Sequence, residues 1–295
     1  MSALVVERAE FEAATIGWVR RNLEQFTVER VTEVRAILGS IKPIADLSLV
    51  AEALMLAPRH AELGHELIAH CWNELEQGDL LADLMLRDNA LLVLASIYPT
   101  FHRAGKLNRR IVDRLAAVRA TDLVHGSHQL PLAAAIHEVG LPGPWSYDEL
   151  LAAEWAAVIE PRTTMSSADA YSMTHIVFYA TSFGREAEKI GPYRPFLDAR
   201  LDALVDQFLA QGNLDVLAEL AILARIDSRD ISDAGWRALL QARHADGMVP
   251  RAMNWPVMRL PTNDRVRARF LEHSHSTLVS IAACVSGSGR AGAGL

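Results

Sequence analysis

The segment SSADAYSMTHIVFYATSFG, residues 166–184, shows the pattern that decides the fold of this chain. A serine that suits a helix N-cap precedes a run with helical periodicity, and Gly184 follows where a helix would end. The same pattern of cap, helical run and closing glycine or proline recurs along the 295 residues. Alternating apolar and polar runs bounded by turn residues, which would indicate strands, are almost absent. The sequence therefore predicts an all-α fold.

The helical runs number about thirteen and are joined by short loops, which predicts helices packed in antiparallel pairs. Two arrangements of such pairs fit, an open superhelix of helical hairpins and a closed α/α toroid with a central cavity. We favour the toroid, because an irregular segment with three prolines, residues 245–263, precedes one long helix, residues 265–285. Near the N-terminus, Gly39 and Pro43 predict a break between two helices.

The domain organisation and the compartment follow from composition. No long linker divides the chain, so we predict one helical domain over residues 1–285 and a flexible tail rich in Gly, Ser and Ala over residues 286–295. The net charge of −7 does not attract a nucleic-acid backbone. No apolar run reaches the ~20 residues of a membrane span, and the start lacks a signal-peptide pattern. Cys71 and Cys284 lie far apart in apolar runs, which is typical of reduced thiols. We therefore predict a cytoplasmic protein with no nucleic-acid and no membrane partner.

The helix within residues 166–184 carries the polar and aromatic side chains that best suit a functional site. Helical spacing places Tyr171, His175, Phe178 and Tyr179 on one side. These groups are too apolar for water and too polar for an unpaired core, so a helix that lines a polar cavity suits them. A core histidine bonded to a backbone carbonyl is the alternative. The candidate catalytic residues here are Tyr171, His175 and Tyr179, and the candidate substrate-binding residues are Thr174, Phe178 and Thr181.

Residues 272–278, EHSHSTL, form the second polar stretch. His273 and His275 are two positions apart and diverge by about 200° on a helix, so we expect only one of them to face the interior. His275 shares a side with Leu271 and Leu278 and is the better inward candidate. We add His275 to the candidate catalytic residues and Thr277 to the substrate-binding ones.

The irregular segment, residues 245–263, is where helical scaffolds place binding groups. Its candidate substrate-binding residues are Asp246, Asn254 and Trp255; an ordinary long loop covered by Trp255 is the alternative. His175 and His275 would form an acid–base pair or ligate a metal, and Asp246 is the natural third ligand in the metal version. The metal and any other cofactor remain unknown.

Several motifs of known chemistry are absent from the chain. There is no GxGxxG, no P-loop, no GxSxG and no DDxxD, which argues against dinucleotide enzymes, nucleotide hydrolases, α/β-hydrolases and metal-dependent prenyl-diphosphate enzymes. The absence of CxxC argues against the usual structural zinc sites.

Two short segments of the sequence resemble motifs of other protein families. THIVFYATSFG at 174–184 and HSTLV at 275–279 resemble motifs of an uncharacterised all-helical bacterial family whose members tend to sit among natural-product biosynthesis genes. That family commonly has an acid where this chain has Ser182. The second segment, with DGMVP at 246–250, is also similar to the α/α-ring folds of terpenoid and lanthionine cyclases, but the cysteine-containing zinc pattern of the lanthionine cyclases is not present.

The resemblance implies a tailoring role in bacterial secondary metabolism. The leading hypothesis is a protein with a His/Tyr-lined central cavity that acts on a natural-product or peptide intermediate. The alternatives are a non-catalytic helical scaffold that binds a partner enzyme or leader peptide, and a protein that sequesters a small molecule. The sequence leaves open whether the protein is an enzyme.

Overall fold

The structure is a computed structural model that describes residues 3–29, 34–86, 96–118, 129–159, 164–253 and 265–286. Within these ranges the chain forms thirteen α-helices and no β-strand. The prediction of an all-α fold with about thirteen helices is confirmed. None of the described helices is long and apolar enough to cross a membrane.

The chain divides into two compact units. Unit 1 comprises Met1–Phe26, Leu56–Arg59 and Ile159–Leu295, and unit 2 comprises Thr27–Met55 and His60–Val158. The single helical domain, the toroid and the superhelix all stay predictions. Of the predicted tail, residues 287–295 lie outside the described residues.

Unit 2 contains all but the last residue of α2 and the six helices that follow it. These helices are α2 (Val34–Leu56), α3 (Ala61–Glu74), α4 (Asp79–Leu84), α5 (Tyr98–Arg103), α6 (Arg109–Ala116), α7 (Gln129–Glu138) and α8 (Tyr147–Val158). The short helices α4 and α6 pack together, as do α7 and α8.

The predicted break at Gly39 and Pro43 is wrong, because α2 continues through both residues and Pro43 lies inside it. A proline inside a helix costs about 3 kcal/mol, since it removes one hydrogen bond and crowds the preceding turn. On the same helix Ile41, Ile44 and Leu47 are at most 1 % exposed. Full burial of each contributes roughly 1.5–3 kcal/mol, so tertiary packing outweighs the proline.

Unit 1 contains the helices that build the candidate site. They are α1 (Ala3–Arg21), α9 (Ser167–Ala180), α10 (Arg194–Ala210), α11 (Leu214–Ile226), α12 (Asp233–Ala242) and α13 (Arg265–Val285). The central helix is α11, which packs against α9, α10, α12 and α13. Because it is covered on every side, nearly all its residues are buried, as expected of a helix that is apolar all round.

Local capping defines the ends of the site helices. The Ser166 hydroxyl accepts a hydrogen bond from the Asp169 amide at 3.1 Å, so Ser166, one of the two adjacent serines that suit the position, caps α9. Beyond the end of α9, Ser182, Phe183 and Gly184 all have positive φ, and this left-handed turn reverses the chain. The Asn213 side chain accepts from the Val216 amide at 3.1 Å and caps α11.

Candidate functional site

Two acidic side chains on α11 form the centre of the candidate site. Asp215 and Glu219 are four residues apart, so they lie on the same side of the helix. Each is only 2 % exposed. A buried carboxylate costs several kcal/mol of desolvation unless other groups compensate it, so the partners of these two acids decide what the site does.

Asp215 is held by three side chains from three parts of unit 1. The Tyr171 hydroxyl on α9 donates to its Oδ2 atom. The Ser276 hydroxyl on α13 donates to its Oδ1 atom at 2.7 Å. Arg251, in the loop before α13, places Nε 3.7 Å from Oδ2. Both oxygens of Asp215 therefore have partners.

Glu219 is shared by two histidines and a threonine. The Thr174 hydroxyl donates to its Oε2 atom. Nε2 of His175 lies 3.6 Å from Oε1, and Nε2 of His275 lies 3.8 Å from the same oxygen. These separations exceed an ordinary N–H···O hydrogen bond, so they are ion-pair contacts when an imidazole is protonated. His275 also lies 3.8 Å from Oδ1 of Asp215, which joins the two acids into one cluster.

The electrostatics of the cluster keep Glu219 charged and Tyr171 protonated. Burial raises the pKa of Glu219, but the charge of His175, the close contacts of His175 and His275 and the hydrogen bond from Thr174 outweigh burial and hold the pKa at about 2. Burial and the negative charge of Asp215 raise the pKa of Tyr171 well above its usual value. Glu219 is therefore a fixed negative charge, and Tyr171 is a fixed donor.

The cluster is layered: its acids and the hydroxyls of Thr174 and Ser276 are buried, and its two histidines and Arg251 reach the surface. The side chains of His175 and Arg251 are 49 % and 51 % exposed, and that of His275 is 28 % exposed. An imidazole that is half-exposed on one side and lies against a buried carboxylate on the other is suited to exchange a proton with a bound molecule.

Aromatic rings surround His175. The rings of Phe178 and Tyr179 lie 6.0 Å and 6.4 Å from its imidazole, and both rings contact Phe183. Burial raises the pKa of Tyr179 to about 12. Phe178 is buried and lies in a tilted orientation against the imidazole. Of the predicted residues, the structure thus brings Tyr171, Thr174, His175 and His275 to the two acids, and it places the rings of Phe178 and Tyr179 beside His175.

Three other predicted residues bond elsewhere. The Thr181 hydroxyl donates to the Val177 carbonyl at 2.7 Å and helps to close α9. The Thr277 hydroxyl accepts from the Val249 amide at 3.0 Å and ties α13 to the preceding loop. Asp246 lies 3.2 Å from Nη2 of Arg269.

The positions of the side chains do not support the hypothesis that His175, His275 and Asp246 bind a metal ion. Asp246, the suggested third ligand, forms its ion pair with an arginine of α13. Among the residues that the structure describes, no group of three or more His, Cys, Asp or Glu side chains is placed to hold a metal ion. Asn254 and Trp255 lie outside the described residues.

The expectation that only one histidine of α13 faces the interior is wrong. His273 is 7 % exposed, and His275 contacts both buried acids. The physical reason is that α13 packs against α1 as well as α11, so two sides of this helix are covered.

Sequence reasoning missed four members of the cluster, which are Asp215, Glu219, Arg251 and Ser276. A signal for the two acids is present in LDVLAELAILARI, residues 214–226, where they stand four apart in a run that is otherwise almost wholly apolar. Such a helix is buried on all sides, and so its acids are buried too. No comparable local signal marks Arg251 or Ser276.

Comparison with known proteins gave one match. A family model described as a domain of unknown function (DUF6895) matches residues 12–285, a range that includes every residue of the cluster. The searches of curated proteins and of solved structures found no match.

Proposed function

The chain belongs to the family described as a domain of unknown function (DUF6895), and since that description names no activity, we propose a function from the geometry of the site. The protein is an enzyme in which His175 transfers a proton to or from a bound small molecule or peptide. One observation carries this proposal: His175 is half-exposed, and its Nε2 atom lies 3.6 Å from the buried carboxylate of Glu219.

Each member of the cluster has a role in this proposal. His175 is the general base, and the same imidazole returns the proton as general acid; positioned imidazoles contribute about 10²–10⁴-fold to such reactions. Glu219 is a positioning residue, because its fixed negative charge lies 3.6 Å from Nε2 of His175 and orients the imidazole. His275 shares Glu219 and contacts Asp215. Tyr171 lies beside His175, and its protonated hydroxyl donates to Asp215 and so fixes the position of that acid.

The substrate class rests on the sequence resemblance. The similarity of residues 174–184 and 275–279 to motifs found near natural-product genes supports a tailoring reaction on a pathway intermediate. Both segments contribute side chains to the cluster, His175 from the first and His275 and Ser276 from the second.

A second candidate function is binding of a small molecule without turnover. The acids already accept hydrogen bonds from Tyr171, Thr174 and Ser276, which makes a rigid platform for a ligand. This alternative predicts the same residues at the site but no chemical change in the ligand.

The test is to incubate the protein with an extract of small molecules from the source organism and to follow the conversion of each compound by mass spectrometry. Wild type is compared with His175→Ala and with His65→Ala, which removes an exposed histidine on α3 of the other unit. We expect wild type and His65→Ala to convert a compound and His175→Ala to convert it about 10²–10⁴-fold more slowly.

Three results would contradict the enzyme proposal. Equal rates in His175→Ala and wild type would remove the proton-transfer role. A compound retained in stoichiometric amount without conversion would establish the binding function instead. Recovery of a partner enzyme or leader peptide, with no effect of His175→Ala, would favour the scaffold.

A further inference from the structure

A cavity of about 260 Å³ lies between α1 and α12, two helices of unit 1 that pack against each other. We infer that this cavity is a second binding site, which takes a small zwitterion of the α-amino-acid class with an apolar side chain. The inference goes beyond the proposed function, because the cavity shares no residue with the acid cluster. The residues that carry it are Glu7, Glu10, Phe11, Arg237, Leu240 and Arg243.

The two walls of the cavity carry opposite charges. Glu7 and Glu10 stand three residues apart on α1, so their carboxylates lie on the same side of that helix. Arg237 on α12 and Arg243 at the C-cap of α12 line the cavity from the other helix. The lining therefore combines two negative and two positive charges on separate walls. A molecule that carries both charges complements such a lining better than a simple cation or anion does.

The four charged side chains do not neutralise one another. Within the described part of the chain, none of the four forms a hydrogen bond or an ion pair, so nitrogen and oxygen atoms on opposite walls lie more than 4.0 Å apart. Arg8, which stands between the two acids in the sequence, pairs with Asp230 at 2.7 Å and lies 3.9 Å from the ring centre of Trp236. The charges of both walls are therefore free to contact a ligand.

The contacts of Arg8 also fix the two walls relative to each other. Trp236 on α12 is 1 % exposed, and its indole N–H donates to Asp230, the carboxylate that pairs with Arg8. Arg8 thus joins α1 to α12 through an aromatic ring and to the segment before α12 through a carboxylate. A cavity with fixed walls loses less conformational freedom on binding than two mobile surfaces do.

The wall at Arg243 has an unsatisfied hydrogen-bond donor. The Nε atom of Arg243 is shielded from solvent and has no hydrogen-bond partner among the described residues. A shielded N–H without a partner is uncommon in folded proteins, and a carboxylate matches a guanidinium in both shape and charge. This observation does not depend on the surface charges, and it favours a ligand whose carboxylate lies at this wall.

The size and the apolar part of the cavity narrow the ligand class further. Ligand pockets usually measure about 300–1,000 Å³, so a cavity of about 260 Å³ suits one small molecule better than a peptide. Phe11 is 1 % exposed and Leu240 is partly buried, and both side chains line the cavity. A single amino acid with an apolar side chain fits the size, the opposite charges and the apolar residues together.

The experiment measures binding by equilibrium dialysis with four probes, which are L-leucine, glycine, L-leucinamide and N-acetyl-L-leucine. L-leucinamide lacks the carboxylate, N-acetyl-L-leucine lacks the ammonium group, and glycine lacks the apolar side chain. We expect saturable binding of L-leucine. Each of the other three probes should bind about tenfold or more weakly, because each loses one of the three kinds of contact.

Substitutions test the two walls separately. The double variant Glu7→Gln, Glu10→Gln removes both negative charges of α1, and Arg237→Gln removes one positive charge of α12. All three side chains are exposed, so we expect the variants to fold, and circular dichroism checks that they do. Each variant should bind L-leucine about tenfold or more weakly than wild type does.

Matched controls are the double variant Glu62→Gln, Glu66→Gln on α3 and Arg109→Gln on α6, which remove exposed charges of the other unit. These controls should bind L-leucine as wild type does. His175→Ala should bind it equally well, because the acid cluster does not line the cavity. Loss of L-leucine binding in His175→Ala would place the amino acid at the acid cluster and overturn the inference.

Three further results would overturn the inference. L-leucine that shows no saturable binding would exclude the amino-acid class. Equal affinity for L-leucine in wild type and in both wall variants would show that the charges of the cavity bind no ligand. L-leucinamide or N-acetyl-L-leucine that binds as tightly as L-leucine would show that one charge is sufficient. None of these results involves turnover, so the proposed function stands or fails separately.

Discussion

Glu219 keeps its negative charge at a position that water hardly reaches. It does so because His175, His275 and Thr174 surround its two oxygens. The pKa of about 2 lies well below the 4.5 of an exposed glutamate. A carboxyl group whose folded-state pKa is depressed contributes stability that is complete above the unfolded-state pKa and is lost as the pH falls through the folded-state pKa.

Glu219→Gln tests this linkage. The variant keeps the shape of the side chain but removes the charge, and we expect it to lower the free energy of unfolding at pH 7 by on the order of 2–3 kcal/mol. The difference from wild type should shrink as the pH falls from about 4.5 toward 2. Urea unfolding at pH 7, 5, 4 and 3 measures it.

The control for this prediction is Glu62→Gln, an exposed glutamate on α3. Its free energy of unfolding should stay within about 0.5 kcal/mol of wild type at every pH. A gap between Glu219→Gln and wild type that does not change with pH would show that the charge of Glu219 has no linked role.

At the scale of helices, three elements of unit 2 meet at one buried arginine. Arg103 on α5 donates to both oxygens of Glu52 on α2, at 2.6 Å and 2.7 Å. Its Nη1 atom lies 3.0 Å from Glu138 on α7. The three side chains are 6–16 % exposed, so removal of the cation takes the arginine charge away from two largely buried carboxylates.

Arg103→Met therefore should destabilise the fold by about 3–5 kcal/mol, the usual effect of breaking a buried ion pair from one side. The measurement is the urea unfolding midpoint at pH 7, read by circular dichroism. Arg109→Met is the control, because its 89 % exposed side chain pairs only at the surface, and it should change stability by less than about 0.5 kcal/mol.

Addition of Glu52→Gln to Arg103→Met should recover part of the lost stability, since it removes the negative charge of one of the two carboxylates that pair with Arg103. If Arg103→Met unfolds at the same urea concentration as Arg109→Met, the ion cluster does not hold these helices together.

For the molecule as a whole, we expect the free energy of unfolding to depend on pH through the buried side chain of His273. The side chain of His273 is 9 % exposed, and its Nδ1 atom has no hydrogen-bond partner within the described part of the chain. Burial lowers the pKa of His273 and is the largest effect. The charges of Glu272 and Asp246 raise this pKa, those of Arg269 and His244 lower it, and the net shift is downward. A histidine with a lowered folded-state pKa favours folding when neutral, so its contribution is lost as the pH falls below the unfolded-state value of ~6.5.

His273→Leu should flatten this acid-side loss. We expect wild type to lose free energy of unfolding between pH 7 and pH 5 and the variant to lose less over the same interval, because leucine takes up no proton. Chemical unfolding at half-unit pH steps gives both curves. His65→Ala serves as the control and should follow wild type; equal slopes in wild type and His273→Leu would refute the linkage.

The sequence by itself determined the features that depend on neighbours along the chain. Periodicity predicts a helix over residues 265–285, and the structure has α13 as Arg265–Val285. Of the two serines predicted as the cap of α9, Ser166 and Ser167, the structure has Ser166 in that role. These successes have one cause: caps and helical periodicity act over a few residues, so a single sequence contains them.

Only the tertiary structure decided which residues meet. The Tyr171–Asp215 and Ser276–Asp215 hydrogen bonds join positions 44 and 61 residues apart, and no local pattern encodes such pairs. Pro43 lies within a helix because packing against distant residues outweighs its local cost. The acids of α11 become the centre of the site for the same reason: distant parts of the chain cover them, and the side chains that those parts bring, from α9, α13 and the loop at Arg251, compensate their buried charges.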